Sequence, residues 1–265
     1  VQTKDKVTAG EIVSAFVRNK PLLLLILASV LGSTMLMAQT SGSYIATYLI
    51  KDSGAVPKDI VQTAMTVAIG VGMLAAMLLM PVLRKHFSLK AIYIGSAVFG
   101  AAVHGILYLV GYGNFYLLLA LLVVIGLPLG IFNVITYAMV ADSVDYLEFK
   151  TGRRSEGVCF ASQTFISKLT GSLCTAIATR IMPVIGLVTV ELADNSLQLV
   201  ESATVNTRFW LWALITIIPP VVSLLSLIPF KFYDLEGEKL RTIQEEMMAH
   251  REEKSRAVSQ NSTSD

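Results

Sequence analysis

Charged residues are missing from long stretches of the chain. Asp, Glu, Lys and Arg make up 15% of its 265 residues, against about a quarter in soluble globular domains, and 54% of the residues are hydrophobic. No Asp, Glu, Lys, Arg or His occurs in residues 21–50, 60–83 and 209–230, and His104 is the only one in residues 91–141. This pattern excludes a soluble globular domain. Because about 20 apolar residues cross a bilayer as a helix, and the alternation of barrel strands is absent, these stretches predict transmembrane helices.

Cysteine and histidine are also scarce. Cys159 and Cys174 fall on one predicted helix, about 22 Å apart along its axis, which is too far for a disulfide. The three His residues are widely separated, so the sequence predicts no metal site and no cofactor. It also has no Gly-rich phosphate loop, no nucleophile elbow and no His-Glu-x-x-His motif. Nothing in the sequence therefore indicates an enzyme.

The apolar stretches predict an all-α fold, a membrane-spanning helical bundle over residues 20–231. Six transmembrane helices are expected, at residues 20–49, 59–83, 90–111, 114–146, 157–187 and 207–231. The fifth is the least apolar because it contains Lys168 and Arg180.

The polar ends are predicted to lie outside the membrane. Residues 1–19 read as an amphipathic lead-in helix, residues 232–254 as a second amphipathic helix packed beneath the bundle, and residues 255–265 as a disordered tail. Sixteen Lys and Arg residues fall on one side of this topology and three on the other. Basic residues favour the cytoplasmic side, so we expect a multi-pass protein of the cytoplasmic membrane with both termini in the cytoplasm.

Lys168 is the clearest ionisable residue at membrane depth. It lies about 16 Å along its helix from Gly157, close to the middle of the bilayer. One helical face carries small or polar residues, with Gln163 and Ser167 beside it: Thr164, Lys168, Gly171 and Thr175. That face is expected to line water or a substrate, since charges within membranes are costly and usually functional. The alternative is that Lys168 only pairs with an acid of a neighbouring helix.

The fourth predicted helix has its own polar and flexible positions. Pro128, between Gly126 and Gly130, allows a bend or a close helix contact. Asn133 and Tyr137 follow at a spacing of four and present an amide and a phenol either to a cavity or to a packed neighbour.

Residues 141–157, ADSVDYLEFKTGRRSEG, concentrate charge between two apolar stretches. Asp142, Asp145 and Glu148 recur at a spacing of three at the end of one helix. Lys150, Arg153 and Arg154 fall in the connecting loop, and Glu156 lies at the start of the next helix, where an acid suits the helix dipole. The charges indicate either a solvated loop that fixes topology or a cytoplasmic gate made of opposite charges.

The same segment, with the following CFASQTFISKLTGS, resembles the signature between the tenth and eleventh helices of the glycoside-pentoside-hexuronide:cation symporters. NKPLLLLIL, RKHFSLK and PFKFYDLEGEKLRTIQEEM agree with that family as well. The resemblance implies a major facilitator fold of twelve helices, of which this chain is similar to the C-terminal half. It further implies alternating-access transport of a sugar or glycoside with Na⁺ or H⁺, the coupling cation being bound mainly by the N-terminal half.

The resemblance also assigns roles to individual residues. Lys168 is similar to the intramembrane lysine of the family, and Gln163 and Thr164 to a sugar-proximal polar pair one turn before it. Asp142, Asp145 and Tyr146 match the acidic motif at the inner end of the tenth helix. Asn133 stands where a galactoside-transporting member has Trp, with Tyr137 one turn further on. An alternative from another class is a non-transporting membrane scaffold or sensor derived from such a half.

Overall fold

The computed structural model describes residues 19–32, 41–50, 58–152, 156–185, 188–191, 197–200 and 205–262. The described helices are α1 (Lys20–Gly32), α2 (Gly42–Tyr48), α3 (Lys58–His86), α4 (Leu89–Val110), α5 (Phe115–Thr151), α6 (Glu156–Val184), α7 (Val205–Thr216), α8 (Ile218–Leu225), α9 (Leu227–Lys231) and α10 (Gly237–Ser262). Strands β1 (Val188–Glu191) and β2 (Leu197–Val200) form an antiparallel hairpin in which Val188 pairs with Val200. The predicted lead-in helix at residues 1–19 falls outside the described residues, apart from Asn19.

Within the described residues, four segments are long and apolar enough to cross a membrane: Ile60–His86, Leu89–Val110, Phe115–Thr151 and Thr207–Lys231. They confirm the predicted helical membrane bundle. Of the first predicted crossing, 20–49, the structure describes α1 and α2, and residues 33–40 between them lie outside the described residues. The fifth, 157–187, forms the long helix α6, but its polar residues keep it out of this group. The hairpin was not predicted, because a pair of four-residue strands leaves little pattern in a sequence.

Helix α5 is the centre of the bundle and packs most closely against α3. A Cβ atom added to Gly126 would lie 2.8 Å from the Cα atom of Gly72 on α3, and one added to Gly130 would lie 2.6 Å from the backbone oxygen of Met73. Real Cβ atoms do not approach other heavy atoms so closely, so glycine is required at this crossing. Residues 126–130 thus make the predicted close helix contact, and α5 continues through Pro128.

The buried residues form two clusters, one toward each end of α5. Cluster 1 contains Leu118, Leu122 and Ile125 of α5 with residues of α2, α3, α4, α6 and α7. Cluster 2 contains Ile135 and Met139 of α5 with residues of α1, α3, α4, α6, α9 and α10. Helix α6 contributes to both clusters, with Cys174, Ala178 and Met182 in cluster 1 and Cys159 in cluster 2.

Helix α10 packs beneath cluster 2. Ile243 and Met247 of α10, with Leu235 just before it, are buried there, at the same end of the molecule as Asp142. The helix continues to Ser262, so it extends into residues 255–265, for which the composition predicts a disordered tail.

The last predicted crossing is divided into α7, α8 and α9. The divisions fall at Ile217 and Ser226, next to the proline pair Pro219 and Pro220 and before Pro229. Proline has no N–H group and clashes with the preceding turn, so each proline interrupts the helical hydrogen-bond pattern.

Candidate functional site

Helix α6 has one packed side and one exposed side. The packed side consists of Cys159, Ser162, Gln163, Thr170, Cys174, Ala178 and Met182, which touch the rest of the bundle. Thr164, Lys168 and Thr175 lie on the exposed side, as their spacing predicts. Within the described residues, Lys168 makes no ion pair, so the alternative of a neutralising acid on an adjacent described helix is not observed.

Gln163 lies on the packed side of α6, away from the exposed Thr164, Lys168 and Thr175. Its side chain is 2% exposed, and its amide nitrogen donates a hydrogen bond to the hydroxyl of Ser167 at 3.4 Å. Its Oε1 atom is buried and has no hydrogen-bond partner among the described residues. A buried acceptor without a donor is costly, so Gln163 has the capacity to accept one further hydrogen bond.

Asn133 and Tyr137 share one face of α5. Asn133 is half-buried and donates from Nδ2 to the backbone oxygen of Leu129 at 3.0 Å, while Tyr137 is 47% exposed. Neither side chain bonds to Lys168 in the part of the chain that the structure describes. The amide oxygen of Asn133 and the hydroxyl of Tyr137 are the groups that remain for an outside partner.

The carboxylate of Asp142 lies where three helices meet. It accepts a hydrogen bond from Nε2 of Gln244 on α10 at 3.2 Å, and the guanidinium of Arg84 at the end of α3 attracts it. The nearby carboxylate of Asp145 repels it. Together with other residues, Arg84, Asp142 and Gln244 line a cleft of about 220 Å³.

A second set of polar contacts holds the segment before α10 against the start of α4. Nζ of Lys90 donates to the backbone oxygen of Tyr233 at 2.7 Å and to the carboxylate of Glu236 at 2.8 Å. Burial, with a further contribution from the carboxylate of Asp142, raises the pKa of the Tyr233 phenol far above its usual range. The hydrogen bond from Lys239 holds the pKa of Asp234 below its usual value. The segment before α10 and the start of α10 are therefore fixed by charge-assisted hydrogen bonds.

The predicted gate residues are only partly brought together. The ring of Tyr146 has two ammonium groups near it, Nζ of Lys150 at 5.8 Å and Nζ of Lys239 at 5.9 Å from its centroid. Glu156 lies in the first turn of α6, where its charge suits the helix dipole. Arg153 and Arg154 lie outside the described residues. In the described part of the chain, no group of three His, Cys, Asp or Glu side chains is placed to hold a metal ion.

Sequence reasoning missed three residues of this region. Nothing in the local pattern pairs Arg84 or Gln244 with Asp142. Asn19 was read only as part of NKPLLLLIL, yet it is fully buried and bonded to two other helices. Its position before Lys20-Pro21 signals a helix start, but contacts 124 and 140 residues away leave no local signal.

Comparison with known proteins gives a consistent result. Residues 1–237 match the family model described as MFS/sugar transport protein. The chain is 26% identical over 228 residues to the uncharacterized symporter YjmB of Bacillus subtilis, covering 84% of this chain and 45% of that protein. It is 24% identical over 228 residues to the glucuronide carrier protein homolog of Escherichia coli, covering 85% and 46%. It is 29% identical over 122 residues to the raffinose carrier protein of Pediococcus pentosaceus, covering 46% and 19%. The matched segment thus spans half or less of each of these relatives.

Proposed function

Since the chain belongs to the MFS/sugar transport protein family, we propose that it forms the C-terminal half of a carrier that moves a sugar or glycoside across the cell membrane with Na⁺ or H⁺. The family is one of transporters and not of enzymes, as the sequence predicts. Beyond membership of the family, we propose that this chain is half of a carrier, that transport is coupled to a cation, and that the residues named below take part. It rests on the following features of the chain.

The extent of the similarity supports the half-carrier. The match covers 84% and 85% of this chain but 45% and 46% of two relatives named as a symporter and a carrier homolog. Such proteins have room for a second unit of similar size. In the family that the sequence resembles, two six-helix halves enclose one central cavity. This chain supplies one wall, and an N-terminal six-helix half of the same carrier supplies the other.

The exposed polar side of α6 is the observation that carries the proposal. Lys168 stands without an ion pair among the described residues, on a helix that packs on one side only. A lysine facing lipid near the middle of the bilayer is strongly unfavourable, so this side contacts water, a substrate or a second polypeptide. A central cavity between two halves supplies all three. The carboxylates that bind the coupling cation would belong to the other half, where Lys168 balances their charge.

The other polar residues fit a sugar, which is rich in hydroxyl groups. Gln163 has an acceptor without a donor, and Thr164, Asn133 and Tyr137 offer hydroxyl and amide groups. Names of two relatives refer to raffinose and to a glucuronide, which supports a sugar or glycoside as the substrate class.

The charges of residues 142–156 serve as the inner gate in this proposal. Asp142, Asp145 and Tyr146, with Arg153, Arg154 and Glu156, would pair with each other and with the other half when the carrier faces outward. They would separate when it faces inward. The excess of Lys and Arg on this side supports a cytoplasmic location for both the gate and the termini.

The test is sugar uptake by the full carrier with Lys168→Ala. Concentrative uptake should be lost, because the charge that balances the partner carboxylates is gone, while the carrier still reaches the membrane. Arg180→Ala is the matched control, since Arg180 is also an exposed base on α6 but lies nearer the helix end, where it can reach the interface. A panel of glycosides, with and without Na⁺, identifies the substrate and the ion.

Undiminished uptake by Lys168→Ala would remove Lys168 from the mechanism. No uptake of any sugar by the unmodified full carrier would favour the other class of function, a membrane scaffold or sensor.

A further inference from the structure

Asn19 lies immediately before α1 and is completely buried. Its Oδ1 atom accepts a hydrogen bond from the backbone N–H of Leu22 at 3.2 Å. This is the contact of an N-cap residue, which satisfies one of the free N–H groups at the start of a helix. Asn19 thus has a local role in starting α1.

The amide nitrogen of the same side chain bonds to atoms outside α1. Nδ2 of Asn19 donates to the backbone oxygen of Ser143 on α5 at 2.8 Å and points to Sγ of Cys159 on α6 at 3.9 Å. Ser143 and Cys159 are fully buried as well. One side chain therefore joins three helices at the gate end of the bundle.

Few side chains can make this set of contacts. A neutral amide has an acceptor for the helix cap and two N–H donors for the two other helices. Serine caps a helix equally well but is too short to reach across, and ionised aspartate has no donor. Leaving the contacts of a fully buried site unmade is costly, so the site selects asparagine.

The link lies close to the polar residues of α6. Cys159 is one helical turn from Gln163, and Lys168 lies about 14 Å further along the axis than Cys159. We propose that Asn19 is a positioning residue: by tying Cys159 of α6 to α1 and α5, it fixes the orientation of α6, whose packed side carries Gln163 and whose exposed side carries Lys168. The inner ends of the three helices then move as one body.

Thiol alkylation tests the link without any transport assay. In the full chain in membranes, Asn19→Ser keeps a capping oxygen but removes the bonds to Ser143 and Cys159. The rate at which N-ethylmaleimide modifies Cys159 should rise by about tenfold, the factor expected for losing the hydrogen bond to Ser143, since sulfur is only a weak acceptor. Cys174, which is buried in cluster 1, should stay as protected as before.

Asn114→Ser is the matched control. Asn114 caps α5 by accepting from the N–H of Leu117 at 3.1 Å, but it is exposed at the opposite end of that helix. This substitution should leave both thiols protected. The inference is overturned if Cys159 stays protected in Asn19→Ser, or if Cys159 and Cys174 become reactive together, which marks general loosening of the fold.

A second readout rests on the proposed function. In the full carrier, Asn19→Ser should weaken sugar affinity by about tenfold, because the hydrogen bond that orients α6 is lost. Asn114→Ser should leave the affinity unchanged. If Lys168→Ala abolishes uptake and Asn19→Ser leaves sugar affinity intact, this inference fails while the proposed function stands. If the unmodified full carrier takes up no sugar, the proposed function fails, and the thiol result still decides whether the link exists.

Discussion

Asp142 shows how much of a charged residue's role depends on distant parts of the chain. Its spacing from Asp145 is visible in the sequence and predicts a shared helical face. Its hydrogen bond from Gln244 and its electrostatic attraction to Arg84 involve α10 and α3 and have no counterpart in the local pattern. The acid that the sequence places at a helix end therefore joins three helices in the structure.

This arrangement predicts a selective effect on transport. Asp142→Asn and Asp145→Asn in the full carrier should each lower the maximal transport rate by about tenfold, because the proposed gate loses a charge, and change the sugar dissociation constant by less than about twofold. Initial uptake rates and direct sugar binding measure the two quantities.

Asp234→Asn is the control for removing an acid at this end of the molecule. Its partner Lys239 is exposed, and exposed ion pairs contribute only about 0.2–1 kcal/mol, so transport should be nearly normal. Equal losses of rate and affinity in the Asp142 and Asp145 variants would indicate a folding defect in place of a gate.

Residues on α6 show what the sequence predicts about single side chains and what it does not. The spacing of Thr164, Lys168 and Thr175 correctly predicts a common exposed face. Gln163 was expected beside it but is buried, because consecutive residues point about 100° apart on a helix and the packing of α1 and α5 decides which side is covered. That packing depends on contacts remote in sequence.

At the scale of helices, the crossing of α3 and α5 rests on Gly72 and Gly126. The spacing of Gly126 and Gly130 indicates a close helix contact, but it does not identify the partner helix. Likewise, the long apolar stretches predict α3, α4 and α5 to within a few residues, since length and hydropathy are local properties. The division of the last crossing and the hairpin between α6 and α7 depend on local backbone geometry that hydropathy does not report.

The glycine crossing gives a stability prediction. Gly126→Ala should destabilise the bundle by about 1–3 kcal/mol, because a methyl group there meets backbone atoms of α3 that cannot move aside. Thermal unfolding of the purified chain in detergent measures the effect.

Gly95→Ala on α4 is the matched control. An added Cβ atom at Gly95 has no other atom within 4 Å, and alanine is favoured over glycine within a helix by up to about 1 kcal/mol. This variant should therefore be as stable as the unmodified chain or slightly more so. If both variants behave alike, the close approach of α3 and α5 is not a source of stability.

At the scale of the whole molecule, the described chain exposes two chemically different surfaces. Helix α3 presents large apolar side chains, including Leu78 at 81% exposure, as expected for contact with lipid. Helix α6 exposes a polar stripe that includes Lys168 and Thr175, and beside it the large apolar side chains Phe165, Leu169, Leu173 and Ile177. A bundle with apolar surfaces and one polar stripe suits a place between lipid and a water-filled cavity.

Labelling from water distinguishes these surfaces. In the full carrier, Thr175→Cys should react with a charged, water-soluble maleimide, whereas Leu78→Cys should not, because lipid excludes the reagent. The unmodified full carrier provides the blank, and the two cysteines of this chain, Cys159 and Cys174, are buried. Reaction at Leu78→Cys, or its absence at Thr175→Cys, would contradict this division.

The three-part last crossing has a mechanical consequence. Helix α5 stays continuous from Phe115 to Thr151 although Pro128 lies inside it, whereas α7, α8 and α9 are short helices divided at Ile217 and Ser226. Bending concentrates at such divisions, because the prolines beside them have removed hydrogen bonds that stiffen a helix. The last crossing can therefore change its curvature at two defined positions while the close packing of α3 against α5 stays in place.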